Sequence, residues 1–353
     1  MLSSKDTKIL EKILYDESEN PQMPKFPITP VFRINIPGFS NVWLKDESKN
    51  NITGTVKDRM SWEIVMAYKD ILLSKKEDKI KGPLPQISMI SAGTAALAIQ
   101  YQMRRYGLPN LKVLVDCKIG EENLEHLKKA GCIIYKTDFS KKCLTGEDIL
   151  KLTKNESGFD ITSNRAFFPT SRFYDWLSYE VFNQNPDYVF IPYGSGQIFE
   201  NILNVNIMIV TSKEYEKRKD IFRIRHVKIF TGNIDILKKC NFMGATTYNP
   251  KTKAIKLYAP HHPFIEFPKE RINLHIYRGH FGKETGVYLF EEKFLDKAIE
   301  FARKNGIEAE PSGLGGLALF LQMKDKISKD KKIIILNTGK TRMPKFDEEY
   351  KIF

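Results

Sequence analysis

Gly54-Thr55-Val56-Lys57-Asp58-Arg59 sets a lysine directly after a glycine turn and at the mouth of a helix, since Met60, Ile64, Ala67, Tyr68, Ile71 and Leu72 recur at helical spacing behind it. Asp and Glu are the residues that suit a helix start, where the dipole and unpaired N–H groups work against an ammonium. A lysine there suggests a purpose other than stability, and an amine in its neutral form is what imine chemistry needs. The plainer reading is a solvated lysine at a helix start. Two further turns carry anion-binding chemistry. Pro192-Tyr193-Gly194-Ser195-Gly196-Gln197 joins the strand-like Asp187–Ile191 to a helix from Ile198, so that small residues and helix N–H groups can wrap a phosphate. Ser91-Ala92-Gly93-Thr94-Ala95-Ala96 joins the strand-like Gln86–Ile90 to a helix from Leu97 to Arg105, and its amides can hold a carboxylate.

Near the C-terminus, Glu310-Pro311-Ser312-Gly313-Leu314-Gly315-Gly316 precedes an apolar helix from Leu317 to Met323. Lys332–Leu336 then reads as a buried parallel strand, with Asn337-Thr338-Gly339-Lys340 at its carboxyl end, where ligands gather in open α/β sheets. Thr338 reads either as a ligand contact or as an ordinary turn residue.

Taken in order, these elements resemble the tryptophan synthase β-like, or fold type II, pyridoxal phosphate enzymes, and the motifs span most of the chain. Gly54–Arg59 is similar to the family's Schiff-base lysine motif with Thr in place of Ser, and the resemblance implies that Lys57 anchors the cofactor and serves as the base. It implies further that Gly194, Ser195, Gly196 and Gln197 contact the cofactor phosphate and that Thr338 faces the pyridine nitrogen. Ser91, Ala92, Gly93, Thr94 and Ala95 stand where the family binds the substrate carboxylate. The family supplies an Asn to the phenolic oxygen of the cofactor from this loop, and here that position is Thr94, whose hydroxyl has a shorter reach. The Glu-Pro-Ser and Thr-Gly elements resemble threonine synthase and the dehydratases, whereas Val56 before the lysine also suits cysteine synthase. Ser163-Asn164-Arg165 and Arg172 lie where threonine synthases have residues entering the site, and these arginines read equally as surface groups. The implied activity is elimination or replacement at the β or γ carbon of an amino acid, first threonine synthase-like and second cysteine synthase-like. Thr94 keeps open a cofactor-binding protein without turnover.

The fold expected to position these residues is α/β, with two doubly wound parallel-sheet domains and pyridoxal 5'-phosphate in the cleft between them. The larger domain is expected to comprise residues 1–84 and 186–353, and the smaller residues 85–185. Between the loops, Lys112–Cys117 reads as a strand, Glu121–Ala130 as a helix stopped by Gly131, and Cys132–Asp138 as a strand. A helix over 146–153, a strand over 160–163 and a helix over 173–183 follow. The stretch Ala245–Tyr258 alternates around Asn249-Pro250-Lys251-Thr252 and reads as a β-hairpin.

Composition limits the alternatives. The 353 residues suit two domains, and a hydrophobic share of 42% is enough to build their cores. No apolar run approaches the roughly 18 residues of a membrane span, and the first residues lack a signal-peptide core, so a cytoplasmic address without a membrane partner is expected. The net charge of +13 is spread over lysines that alternate with acids rather than forming an aromatic-laced stripe, which argues against a nucleic-acid partner. Cys117, Cys132, Cys143 and Cys240 show no metal spacing, and His261-His262 has no matching ligand, so no metal is expected. The expected partners are an amino-acid substrate and a second copy of the chain.

Overall fold

Val42–Asp46 (β2), Tyr188–Pro192 (β7) and Ile333–Asn337 (β10) carry the apolar runs of strands covered on both faces, and they lie side by side at the centre of a six-stranded sheet. The computed structural model of the chain describes residues 2–18, 28–91, 93–141, 144–162, 173–211, 230–258 and 281–344. Val31–Arg33 (β1), Asn241–Thr246 (β8) and Gly286–Leu289 (β9) complete this sheet in the order β1-β2-β10-β7-β8-β9. All its pairings are parallel except that of β1, which runs antiparallel to β2 at the edge. Ile87–Ile90 (β3), Lys112–Asp116 (β4), Ile133–Thr137 (β5) and Phe159–Asp160 (β6) form a second, wholly parallel sheet in the order β5-β4-β3-β6.

Both sheets reverse direction beside a candidate loop. From β3 the chain winds outwards through β4 to β5 and then returns to β6 on the other flank of β3. From β7 it winds outwards to β8 and β9, and β10 returns on the other flank. The loops after β3 and β7 are therefore at topological switch points, where open sheets leave a crevice at their carboxyl edge.

Helices cover these sheets. Ser4–Ser18 (α1), Lys57–Lys76 (α2), Thr94–Tyr106 (α3), Asp175–Phe182 (α6) and Gln197–Val210 (α7) contribute to one continuous apolar core together with strands of both sheets. Glu121–Ala130 (α4) ends at Gly131, whose φ of +90° closes the helix as its sequence requires, and Gly146–Leu152 (α5) opens with a capping box from Thr145. On the far face of the larger sheet, Glu292–Lys304 (α9) and Gly315–Met323 (α10) bury a second core; Ile234–Leu237 (α8) is a single turn. α10 presses its backbone onto the sheet, because a Cβ on Gly316 would stand 2.8 Å from the Phe190 carbonyl oxygen.

The expected hairpin over Ala245–Tyr258 does not form. Asn249 accepts from Thr252 N in a turn, but Ile255–Leu257 is a short 3-10 helix and only one isolated bridge joins Thr247 to Tyr258, in the parallel sense. β8 already pairs with β7 and β9 on its two edges, so no edge is left for a returning arm, and Ala254 and Leu257 bury into the far-side core instead.

α2 is buried nearly all round, and it carries its charges inside. Arg59 of α2 meets Glu47 at 2.6 and 3.0 Å and Glu180 of α6 at 2.9 and 2.8 Å. Lys45 of β2 donates to Glu180 and, at 2.6 Å, to the Thr29 carbonyl oxygen. Burial alone would raise the Glu47 carboxyl, yet the Arg59 and Lys45 charges outweigh it and hold that group at about 2 rather than 4.5. A carboxyl depressed on folding stabilises above its unfolded pKa and loses that contribution as the pH falls through the folded value. Thermal unfolding from pH 5 down to about 2 is expected to show a steep loss of stability in the unsubstituted chain and a shallower one in Glu47→Gln. At neutral pH that variant, which leaves two buried cations facing one carboxylate, is expected to be less stable by about 3 kcal/mol.

Candidate functional site

The turn before Lys57 is built by its neighbour in sequence. Asp58, fully buried at the first turn of α2, accepts from Ile52 N at 2.9 Å and from Thr53 N at 3.0 and 2.9 Å, and also takes the Thr53 hydroxyl. Burial pushes its carboxyl up to about 6 against the pull of these donors. Gly54 then turns with φ +68° and Thr55 Oγ1 accepts from Lys57 N at 3.2 Å. The segment after β10 runs antiparallel to this turn. Val56 N donates to Thr338 O at 3.1 Å, Lys340 N to Gly54 O at 3.1 Å and Arg342 N to Thr53 O at 2.8 Å. Gly339, with φ +101°, faces Gly54 so closely that a Cβ on it would overlap the Gly54 carbonyl oxygen and come within 2.8 Å of Thr55 Cα. Asn337 fixes the approach, donating to Asp46 at 2.8 Å and to Glu308 O at 2.9 Å while accepting from Gly339 N at 3.0 Å.

Lys57 itself is half-buried. Its Nζ donates to the Tyr174 hydroxyl at 2.9 Å, and among the described residues no carboxylate pairs with it. Tyr174 is wholly buried at the entrance to α6. Sequence reasoning missed it, because the two residues are 117 positions apart and no local pattern marks a tyrosine ahead of a helix as a lysine's partner.

Gly194–Gln197 follows β7, and α7 begins at Gln197. Gly196 takes φ +85° at the helix N-cap, where it offers no side chain to the first-turn N–H groups. Gly194 backs onto the segment after β8, since a Cβ there would lie 2.5 Å from the Lys256 carbonyl oxygen. The loop after β3 leads into α3 at Thr94; Gly93 N donates to Ser91 Oγ at 3.3 Å. Ser91, Gly93, Thr94 and Ala95 are half-buried, while Ala92 and Arg172 lie outside the described residues, as do Ser163-Asn164-Arg165, Cys143 and His261-His262.

A chain of contacts joins these loops. The Lys57 turn is bonded to the Thr338–Arg342 segment; Thr341 Oγ1 meets Thr94 Oγ1 at 2.7 Å; and Lys256 Nζ reaches Glu310 at 2.6 and 2.8 Å, Thr341 at 3.2 Å and Thr94 at 3.4 Å. Lys256 N in turn donates to Ser312 Oγ at 3.2 Å, and Glu310 N to Gly339 O at 3.0 Å. Neither the Thr338 hydroxyl nor the Gln197 side chain is hydrogen-bonded to these groups. Lys256 and Thr341 escaped sequence reasoning, although Thr341 lies only three residues beyond Thr338. Among the described residues no cluster of His, Cys, Asp or Glu is arranged to hold a metal, and no helix is long and apolar enough to cross a membrane.

The profile of the family described as pyridoxal-phosphate dependent enzyme matches residues 25–204, just over half of the chain. No curated protein matches it by sequence. Among solved structures it is similar to O-ureido-L-serine synthase at 14% identity and a TM-score of 0.60, covering 96% of this chain and 92% of that one. It is also similar to maize serine racemase, at 15% identity and 0.58, covering 94% and 92%. A cysteine synthase from Entamoeba histolytica aligns at 12% identity and 0.57, covering 97% and 88%. At such identities the likeness speaks to the fold.

The cofactor of this family is pyridoxal phosphate, and the residues present fit it. A helix start with a glycine cap presents backbone N–H groups to a phosphate, and a half-buried lysine whose described partner is the Tyr174 hydroxyl supplies the amine that the cofactor's aldehyde takes. The Gly54–Gly339 contact holds that amine's turn in place. Gly339→Ala is expected to lower stability by at least about 2 kcal/mol, from positive φ and overlap together. Chemical denaturation checks the loss, and added pyridoxal phosphate is expected to bind the variant more weakly.

Proposed function

This chain belongs to the pyridoxal-phosphate-dependent enzymes of fold type II, the tryptophan synthase β-like class, and from that premise we propose that it catalyses elimination or replacement at the β or γ carbon of an amino acid carrying a leaving group. The observation that carries the reading is Lys57, a half-buried amine with a tyrosine hydroxyl for a partner, on a turn bonded to the segment that leaves the carboxyl end of β10. Lys57 would hold the cofactor and, once the incoming substrate amine has taken its place and released Nζ, would accept the substrate's α-proton there. Tyr174, 2.9 Å away, orients that nitrogen. Gly194, Ser195, Gly196 and Gln197 would hold the phosphate at the start of α7, and the Thr338 hydroxyl would serve the pyridine nitrogen. The loop Ser91, Ala92, Gly93, Thr94 and Ala95 receives the substrate carboxylate, with Arg172 as a second cation.

When bound, pyridoxal phosphate supplies the electron sink that stabilises charge at the substrate α-carbon. A hydroxyl at Thr338 would not hold a proton on the ring nitrogen as a negatively charged carboxylate would, which would favour loss of a leaving group over prolonged charge at that carbon. The Glu310-Pro311-Ser312 and Thr338-Gly339 elements support a threonine synthase-like substrate, and Val56 supports cysteine synthase-like β-replacement. A second reading, cofactor binding without turnover, is favoured by Thr94, whose hydroxyl is bonded to Thr341 rather than open to the site. We also assign residues 1–84 with 186–353 to one domain and residues 85–185 to the other, and propose a homodimer in the cytoplasm.

Protein purified with the cofactor is expected to show the visible absorption of a lysine-bound pyridoxal, and Lys57→Ala to lose it. Tyr174→Phe is expected to keep the band and slow its response to substrate by about tenfold, the cost of one hydrogen bond. Titration with O-acetyl and O-phospho amino acids reads the substrate class from the band's shift. A band that no amino acid perturbs selects the second reading, and a protein that takes up no pyridoxal phosphate contradicts both.

A further inference from the structure

Thr94, Lys256, Glu310 and Thr341 come from four separate stretches of chain and share one set of hydrogen bonds. A carboxylate can only accept, so the Thr341 hydroxyl donates to Glu310 Oε2 at 3.2 Å. An ammonium can only donate, and Lys256 Nζ gives its protons to Glu310, Thr341 and Thr94. The Thr341 proton has Glu310 at 3.2 Å and Thr94 at 2.7 Å within reach, and either hydroxyl can donate across the contact between the two threonines, so the Thr94 hydroxyl is engaged by Thr341 whichever way that bond runs. The Thr94 hydroxyl is thereby held in one set with Thr341 and Lys256.

We infer that Lys256, Glu310 and Thr341 are positioning residues that latch Thr94, and through it the Ser91–Ala95 loop, onto the side of the molecule that carries the Lys57 turn. The latch rests on the proposed role of that loop in receiving the substrate carboxylate. It is placed to act on it: Thr94 is the first residue of α3, Thr341 lies on the segment bonded to the Lys57 turn, and the Lys256 carbonyl packs against Gly194. The one residue Lys256 thus touches both candidate loops, its main chain against one and its ammonium against the other. The Lys256 side chain is 51% exposed and that of Glu310 23%, so the ion pair is weak enough to open and close as substrate enters. The loop's backbone N–H groups at the start of α3 are there to meet the carboxylate.

Amide hydrogen exchange over residues 91–99, measured on protein without added cofactor, reads the latch directly. Lys256→Met and Thr341→Val are each expected to raise exchange there about fivefold, with the remainder of the chain unchanged. The double variant is expected to match the stronger single one, because both remove the same device, and Lys256→Arg to restore part of the protection. In cofactor-loaded protein, the same variants are expected to need more amino acid for half of the spectral response while keeping its full amplitude and their cofactor uptake. Exchange over 91–99 that is unchanged in both single variants, or exchange raised along the whole chain, would overturn the latch. Failure of the unsubstituted chain to take up pyridoxal phosphate would overturn the proposed function and leave the exchange result standing.

Discussion

Lys45, Glu47, Arg59 and Glu180 are buried with two positive and two negative charges, and each costs several kcal/mol to remove from water unless the others meet it in good geometry. That condition ties β2, the turn after it, the first turn of α2 and the helix α6 into one arrangement. Lys57 lies two residues ahead of Arg59 and Tyr174 six residues ahead of Glu180, so the same cluster that anchors the helices from within also sets the amine against its hydroxyl partner. The three residues Lys57-Asp58-Arg59 then have separable tasks. Arg59 fixes the helix, Asp58 shapes the preceding turn through the Ile52 and Thr53 amides, and Lys57 is left facing the Tyr174 hydroxyl.

The second constraint is the close approach of two glycine turns. Gly54 and Gly339 come from distant parts of the chain and both take positive φ, which lets Thr338 and Lys340 bond across to Val56 and Gly54. The segment after β10 continues to Thr341 and so reaches the loop at the end of β3. The loop after β3 and the Lys57 turn are joined through short polar contacts, and Gly194 after β7 packs against the Lys256 carbonyl, at the carboxyl edges where parallel winding leaves room for a ligand.

Much of the fold was legible because its signals are local. Glu121–Ala130 has the periodicity of a helix and Gly131 the chemistry that stops it, and the apolar runs of β7 and β10 read as central parallel strands. The glycine loops were recognisable for the same reason, as each joins a strand to a helix. What was not legible depends on residues far apart. Glu180 gives no sign in the sequence that it closes a charge cluster with Lys45 and Arg59, and Tyr174 none that it meets Lys57. The alternation over Ala245–Tyr258 suggested a hairpin, but both edges of β8 were taken by neighbours the local pattern does not contain. Thr94 was visible as a departure from its family's pattern, whereas its bond to Thr341, 247 positions away, was not.

The central claim is that this fold presents Lys57 as the amine that holds pyridoxal phosphate. Borohydride reduction of the protein with the cofactor, followed by peptide mapping, fixes the cofactor to whichever lysine holds it. The account predicts a pyridoxyl label on the peptide containing Lys57. A label on any other lysine, or none, would contradict it.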